Sequence, residues 1–221
     1  MKKIKIVYFI YLKPHKWKKI FVEQFEDLKK SGLYAKSDEI YISAIDEFDE
    51  LVEFKELLKN DYNKVNLKNV FTENVYEYGG FKTIKEIAEE DSIILYFHSK
   101  GMFSETADNK IKELRKILHL KTIQNFNFYL ENFEKNPQLD LGGLFVNKNG
   151  FVYYNFFWIN GDFLMKYCSP PQISHDRFIW EIWLKKFFDL KEQKNFISPI
   201  NEYSLENKTQ VKKIMKNLLY V

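Results

Sequence analysis

The sequence predicts an α/β fold built on one mainly parallel sheet, with an antiparallel hairpin in the second half and an amphipathic helix at the C-terminus. Three observations predict it. Apolar runs of strand length alternate with segments of helical apolar spacing through the first half, the pattern of consecutive βαβ units. An Asn147-Lys148-Asn149-Gly150 turn separates two apolar runs in the second half, a hairpin signal. The apolar, aromatic run Ile93–Phe97 stops abruptly at His98, Ser99, Lys100 and Gly101. Ligands of open α/β sheets bind outside the carboxyl ends of the strands. That break is therefore either a solvated loop or an anion site made by a cation pair and a glycine.

Ile4–Ile10 reads as the first strand, closed by Pro14. Trp17, Ile20, Phe21, Phe25 and Leu28 keep helical spacing, and Gly32 ends that helix as a C-cap. Glu39–Ala44 is a second strand, after which Asp46 caps a helix carrying Phe48, Leu51, Phe54 and Leu58. Asn69–Tyr76 is a third strand; Gly79 and Gly80 lead into a short helix with Ile84, Ile87 and Ala88, and strand 93–97 follows. Right-handed crossovers place the strand ends, Tyr11 and His98 included, along one edge. Residues 102–108, with Ser104, Thr106 and Asp108, read as a mobile loop. One long helical pattern then runs through Ile111, Leu114, Leu118, Ile123, Phe126, Leu130 and Phe133. Leu139–Val146 and Phe151–Ile159 are the hairpin strands, and an aromatic helix covers 175–188. Lys208–Leu219 closes the chain with Val211, Ile214, Met215 and Leu218 on one face. That face either closes the core or lies beside anionic lipid, a peripheral membrane contact. No repeat or low-complexity linker interrupts the chain, so 1–221 reads as one domain.

Composition bounds the function. With 45% apolar and 18% aromatic residues in 221, the chain can bury a full core. No apolar run approaches the roughly 18–20 residues a membrane span needs. Met-Lys-Lys precedes a stretch that Lys5 interrupts and that lacks a small-residue cleavage site, so it reads as a strand and not a leader. Cys168 is the only cysteine; no internal disulfide forms, and the cytoplasm is the expected compartment. A net charge of +3 argues against binding nucleic acid by bulk electrostatics. Of 34 Lys plus Arg, only Arg115 and Arg177 are arginine. In a chain so rich in Lys, Asn, Ile and Phe, a retained Arg points to a need for its planar fork, which grips phosphate or carboxylate.

No glycine-rich nucleotide loop, His-Glu-x-x-His motif, Cys-His cluster or nucleophile elbow is present, and His98, His119 and His175 have no metal-ligand spacing. Asn155 stands alone in the apolar stretch 151–160. A buried amide without partners costs about 1–3 kcal/mol. Asn155 thus either satisfies neighbouring backbone or faces a cleft and binds hydroxyls, with Trp158 stacking on a sugar or base. In segment 175–188, Arg177, Glu181 and Lys185 form one polar stripe among aromatic neighbours. The stripe is either a solvated salt-bridge ladder or the wall of a cleft, where a half-buried Glu181 would serve as a general base.

In order along the chain, Tyr96–Gly101, Arg115, Asn155–Trp158, and Arg177 with Glu181-Ile182-Trp183 resemble a known set of motifs. The set is that of GT-A-type glycosyltransferases of bacterial surface polysaccharides: Tyr-(Leu/Phe/Ile)-His-(Ser/Thr)-Lys-Gly, a helical Arg, Asn-Phe-Trp-Trp, then an Arg and Glu-x-Trp helix. Asn74, Glu77 and Thr83-Ile84 also resemble the segment preceding the His-Ser-Lys-Gly strand, and the resemblance covers about residues 68–188. It implies a GT-A-like fold with a Rossmann-like nucleotide-binding half at 1–100, an acceptor and catalytic half at 101–205, and a helix at 206–221. It implies transfer of a sugar from a nucleotide-sugar donor to a glycan or lipid-linked acceptor of lipopolysaccharide, lipooligosaccharide or capsule. The alternatives are a non-catalytic glycan- or nucleotide-binding module of the same fold, and a phosphate-ester enzyme using His98 and Lys100.

The chain departs from that pattern at Leu114, where the family has Trp, at Tyr154, where it has Gly, and at Phe157, where it has Trp. Glycosyltransferases of this fold in general end the strand in Asp-x-Asp, which holds a divalent metal; here His98-Ser99-Lys100 stands there. The resemblance implies substrate binding by His98, Lys100, Arg115, Asn155, Trp158 and Arg177, and nucleotide binding by Tyr11, Glu77 and Thr83. Glu181 is the implied base for an inverting reaction, with Asp176 second. No metal or other cofactor is expected, because fixed cations can meet the charge that grows on a departing diphosphate.

Overall fold

The computed structural model describes residues 2–100, 108–200 and 208–218. β1 (Lys3–Tyr11) lies inside the sheet and is buried at every residue from Ile4 onward, which is why it reads as an almost unbroken apolar run. Its one charge, Lys5, pairs with Glu39 at 2.9 Å and Glu89 at 2.6 Å and donates to the Ile87 carbonyl at 2.9 Å. Burial disfavours that charge, yet the two carboxylates hold the Lys5 pKa above its ordinary value. α1 (Trp17–Ser31) buries the predicted face, and Gly32 caps it at φ 83°, a left-handed conformation suited to glycine. α2 (Leu33–Lys36) is one further turn.

β2 (Glu39–Ile45) pairs parallel to β1. Asp46 accepts from the backbone N–H groups of Glu50 and Leu51, so the helix it caps, α3 (Leu51–Asp61), starts later than expected and leaves Phe48 exposed before it. The third strand is also displaced. β3 (Val65–Phe71) ends where Thr72, Glu73 and Asn74 turn the chain, and the Asn74 side chain accepts from the Tyr76 N–H to hold Tyr76 at φ 51°. α4 (Tyr78–Glu86) includes Gly79 and Gly80 rather than following them. Added Cβ atoms would meet Ser43 Oγ at 2.2 Å and Tyr96 at 2.6 Å, so the glycines let this helix lie close on the sheet. β4 (Ser92–His98) is wholly buried and pairs parallel to β1 on its other side.

The long helix expected over 111–133 is three pieces: α5 (Asp108–Leu118), a π-helical stretch His119–Gln124, and α6 (Phe126–Lys135). The wider turn brings His119 against Asp27 at 2.9 Å and Gln24 at 2.8 Å, both on α1. Of the expected loop 102–108 only Asp108 is described, as the first residue of α5. The hairpin is present in outline: β5 (Leu141–Gly143) and β6 (Phe157–Asn160) pair antiparallel, with a Val146–Val152 bridge below the Asn-Gly turn. Its second arm is not one strand, because a 3-10 turn at Tyr153–Asn155 interrupts it.

α7 (Gly161–Tyr167) follows β6. The aromatic helix 175–188 is split into α8 (Arg177–Glu181) and α9 (Lys185–Phe188). The break lets Trp180 and Trp183 reach the same Phe81 ring, at centroid distances of 5.8 and 5.1 Å, and Lys185 pairs with Asp189 instead of extending the stripe. β7 (Phe196–Ile197) adds parallel to β5, giving the order β3-β2-β1-β4-β6-β5-β7 with β6 the one antiparallel member. α10 (Lys208–Leu218) buries Val211 and packs Ile214, Met215 and Leu218 on the core, so its apolar face is occupied; the expected end at Leu219 lies outside the described residues. Among the described residues no helix is long and apolar enough to cross a membrane.

Gly79→Ala tests the close approach of α4. Alanine gains about 1 kcal/mol of helix propensity over glycine. Overpacking against Ser43 and Phe71 outweighs it, so urea unfolding should show a net loss of about 1–2 kcal/mol.

Candidate functional site

The carboxyl ends of β1 and β4 open on a cleft of about 480 Å³. Strand register creates it. Phe9 stands opposite His98, the Ser99 N–H donates to the Phe9 carbonyl at 2.9 Å, and the Tyr11 N–H donates to Ser99 Oγ at 3.2 Å. Tyr11 and His98 therefore share the predicted edge. The cleft is lined by Tyr11, Glu77, His98, Lys100, Asn155, Arg177 and Glu181 from the sequence-derived set. Phe9, Asn74, Tyr76, Ser99, Ile111 and Tyr154 complete the lining.

His98 is buried, and its Nε2 lies 2.9 Å from the Tyr154 carbonyl. A carbonyl only accepts, so Nε2 carries the proton. Burial lowers the His98 pKa; Glu77 opposes the shift and Lys100 adds to it. Lys100 Nζ stands 5.1 Å above the Tyr154 ring, a cation–π contact. Tyr154 and Asn155 occupy consecutive left-handed conformations, φ 70° and φ 50°. This is where the resembled family has glycine, and the backbone explains that preference. Asn155 Nδ2 donates to Glu77 Oε2 at 3.0 Å and to the Trp180 carbonyl at 3.2 Å, so its amide satisfies neighbours while the residue lines the cleft. On α8, Arg177 and Glu181 form a 3.6 Å ion pair at side-chain exposures of 59% and 28%. Tyr11 donates to the Glu47 carboxylate, and burial followed by that bond raises its pKa.

Four sequence-derived candidates lie elsewhere. Arg115 is buried beneath the site: Nε and Nη2 each donate to Glu23 at 3.2 Å, and Nη1 donates to the Lys100 carbonyl at 2.9 Å. Its fork does bind a carboxylate, but a structural one. Trp158 is fully buried on the α6 side of the sheet, donating to the Thr122 carbonyl and stacking on Tyr129 at 5.9 Å, so it cannot stack on a sugar there. Strand alternation decides this, because the adjacent Phe157 faces Tyr96 and α4 instead. Thr83 is buried within α4, donating to the Gly79 carbonyl and accepting from Asn69. Asp176 is exposed and caps α8 through the Phe178 N–H.

Sequence reasoning missed Tyr154 and Tyr76 as cleft residues. The only signals were the Tyr154 departure from glycine and the turn-forming Asn74 before Tyr76. Gly101 lies outside the described residues. The end of β4 offers a buried neutral imidazole and an ammonium, and among the described residues no group of three His, Cys, Asp or Glu side chains is placed to hold a metal ion. The Lys100 ammonium at this end suits an anion.

Two predictions follow from this geometry. Arg115→Lys keeps the charge but cannot reach both Glu23 and the Lys100 carbonyl, so urea unfolding should show a loss of about 1–3 kcal/mol. Burial depresses the pKa of both His98 and His119 below the ordinary 6.5, so these groups bind more protons when unfolded. The stability they contribute is complete above pH 6.5 and is lost as pH falls from there through their folded values. Urea midpoints measured between pH 7.5 and pH 5 should decline accordingly, and histidine proton resonances should show both rings still neutral at pH 6.5, where an ordinary histidine of pKa about 6.5 is half protonated.

No family model matches this chain, and no curated protein matches it in sequence. In structure it is similar to a cytidylyltransferase of Leptospira borgpetersenii, at 13% identity and a TM-score of 0.51, over 100% of this chain and 88% of that one. HddC of Yersinia pseudotuberculosis is similar at 12% identity and a TM-score of 0.48, over 99% of this chain and 100% of that one. A 4-diphosphocytidyl-2C-methyl-D-erythritol synthase of Anaerococcus prevotii is similar at 13% identity and a TM-score of 0.46, over 98% of each chain. At such identities the likeness to the Leptospira protein is one of fold.

Proposed function

We propose that this chain is a glycosyltransferase that moves a sugar from a nucleotide-sugar donor to a surface glycan or its lipid-linked precursor, in lipopolysaccharide, lipooligosaccharide or capsule assembly. The observation that carries the reading is convergence. His98, Lys100, Asn155, Arg177 and Glu181, spread over more than eighty residues, line one cleft at the carboxyl edge of a parallel sheet. The motif resemblance and the fold shared with a cytidylyltransferase support a nucleotide-derived donor.

In this reading the nucleoside lies at the strand ends beside Tyr11, and the diphosphate lies between Lys100 and Arg177. Breaking the bond between the anomeric carbon and the phosphate oxygen places negative charge on the diphosphate, which the two fixed cations stabilise. Neutral His98 holds the Tyr154 carbonyl and with it the ring beneath Lys100. Glu181 takes the proton of the acceptor hydroxyl as that oxygen attacks the anomeric carbon. Among the described residues Arg177 forms a partly exposed ion pair with Glu181, a contact of about 0–1 kcal/mol, so a diphosphate can compete for Arg177 at little cost.

The test is product analysis across a panel of nucleotide sugars. Slow release of free nucleoside diphosphate, persisting in chelator, is the expected result. Lys100→Ala should lower it by about 10²–10³-fold, the loss typical of one preorganised charge-stabilising group. Glu181→Gln should retain nucleotide binding and lose transfer. Pyrophosphate release from a nucleoside triphosphate would assign nucleotidyl transfer instead, and binding without turnover would assign a non-catalytic module. Activity abolished by chelator and restored by magnesium or manganese would overturn the fixed-cation scheme.

A further inference from the structure

Glu77 is held by more groups than its place at the start of α4 requires. Its Oε2 accepts from the Tyr96 hydroxyl at 2.9 Å and from Asn155 Nδ2 at 3.0 Å. Tyr96 is fully buried on β4, and burial followed by the nearby carboxylate raises its pKa well above the ordinary phenol range, so it remains a donor. Asn155 reaches Glu77 from a backbone conformation that asparagine tolerates and tyrosine, just before it, adopts rarely. The Trp180 carbonyl accepts from the same Asn155 Nδ2 at 3.2 Å. Strand β4 and the 153–155 turn thus converge on one oxygen, and α8 braces the Asn155 amide that reaches it. The second oxygen, Oε1, takes no hydrogen bond from the described residues, and the side chain lines the cleft. Persistent strain around a fixed polar group is characteristic of functional sites.

We infer that Glu77 Oε1 is the acceptor for hydroxyl groups of the transferred sugar, and that it sets which sugar the cleft takes. The inference rests on the donor reading above. Position separates this role from nucleotide binding. Tyr11 lines the cleft at the end of β1 and bonds Glu47, whereas Glu77 is bonded to Asn155, which in turn is braced by the Trp180 carbonyl of α8, the helix that carries Glu181, the base in this reading. A carboxylate whose Oε2 is fixed by two donors keeps Oε1 in one place, which suits holding a hydroxyl in a set orientation. Proton removal is left to Glu181. Tyr96 and Asn155 are positioning residues for Glu77.

Titration calorimetry separates the contributions. The probes are UDP and GDP and their sugar esters UDP-glucose, UDP-galactose, UDP-N-acetylglucosamine and GDP-mannose. Wild-type protein should bind one sugar ester more tightly than its parent diphosphate. Glu77→Gln should bind that ester about 10- to 100-fold more weakly, the worth of a charged hydrogen bond, with parent diphosphate affinity kept within about twofold. Tyr96→Phe keeps the carboxylate but removes one of its donors. It should shift the same ester selectively, by about three- to tenfold, and it carries the test if Glu77→Gln does not fold. Equal weakening of ester and diphosphate would place Glu77 on the nucleotide and overturn the assignment, as would unchanged affinity for both. A wild-type protein that binds none of the probes would overturn the donor reading itself, whatever the variants do.

Discussion

The register of β1 against β4 is the constraint on which the rest depends. Both strands are buried on both faces, so a slip of one residue would exchange every inward and outward side chain. In the observed register Tyr96 and His98 face α4, while Phe97 packs against Tyr8 and Phe25 on the α1 side. The pairing continues past the last strand residue through Ser99, whose N–H and hydroxyl both engage β1. The polar tetrad thereby begins at a fixed place and in a fixed orientation.

The two faces of the sheet then divide the labour. On the α1 face, Gln24 donates to the His98 carbonyl at 3.2 Å, accepts from Tyr8 at 2.7 Å and meets His119 at 2.8 Å. Arg115, reaching from α5, holds the Lys100 carbonyl. These groups grip the backbone of the tetrad from behind. On the α4 face, the side chains of His98 and Lys100 are presented to the cleft, with the strained turn at Tyr154 and Asn155 beside them. Arg115 thus supports the cleft without entering it, which reconciles its place in the motif set with its burial.

Charge is distributed along the same axis. At the amino end of the sheet Lys5 is neutralised by Glu39 and Glu89 and serves the fold. At the carboxyl end Lys100 lies over an aromatic ring and Arg177 on an exposed ion pair. A modest overall charge of +3 thus coexists with two cations, Lys100 and Arg177, lining one cleft.

The strand–helix alternation, the burial of β1, β2 and β4, and the edge shared by Tyr11 and His98 were legible in the sequence by itself. Each rests on local periodicity and on the handedness of crossovers, which a single chain displays. The polar break was legible to within a residue or two: the strand runs on through buried His98, and its pairing with β1 continues to Ser99. Only the tertiary structure decided the rest. Phe157 and Trp158 are equally apolar, and a 3-10 turn inside an aromatic run leaves no periodic trace, so which of them faces α4 follows from pairing with β4. The carboxylate that takes Arg115 is Glu23, 92 residues away, and the amide that fixes Glu77 is Asn155, 78 residues away. Neighbours in sequence constrain a backbone, but a side chain's partner is set by which surfaces the sheet brings together, and that is a property of the packed chain alone.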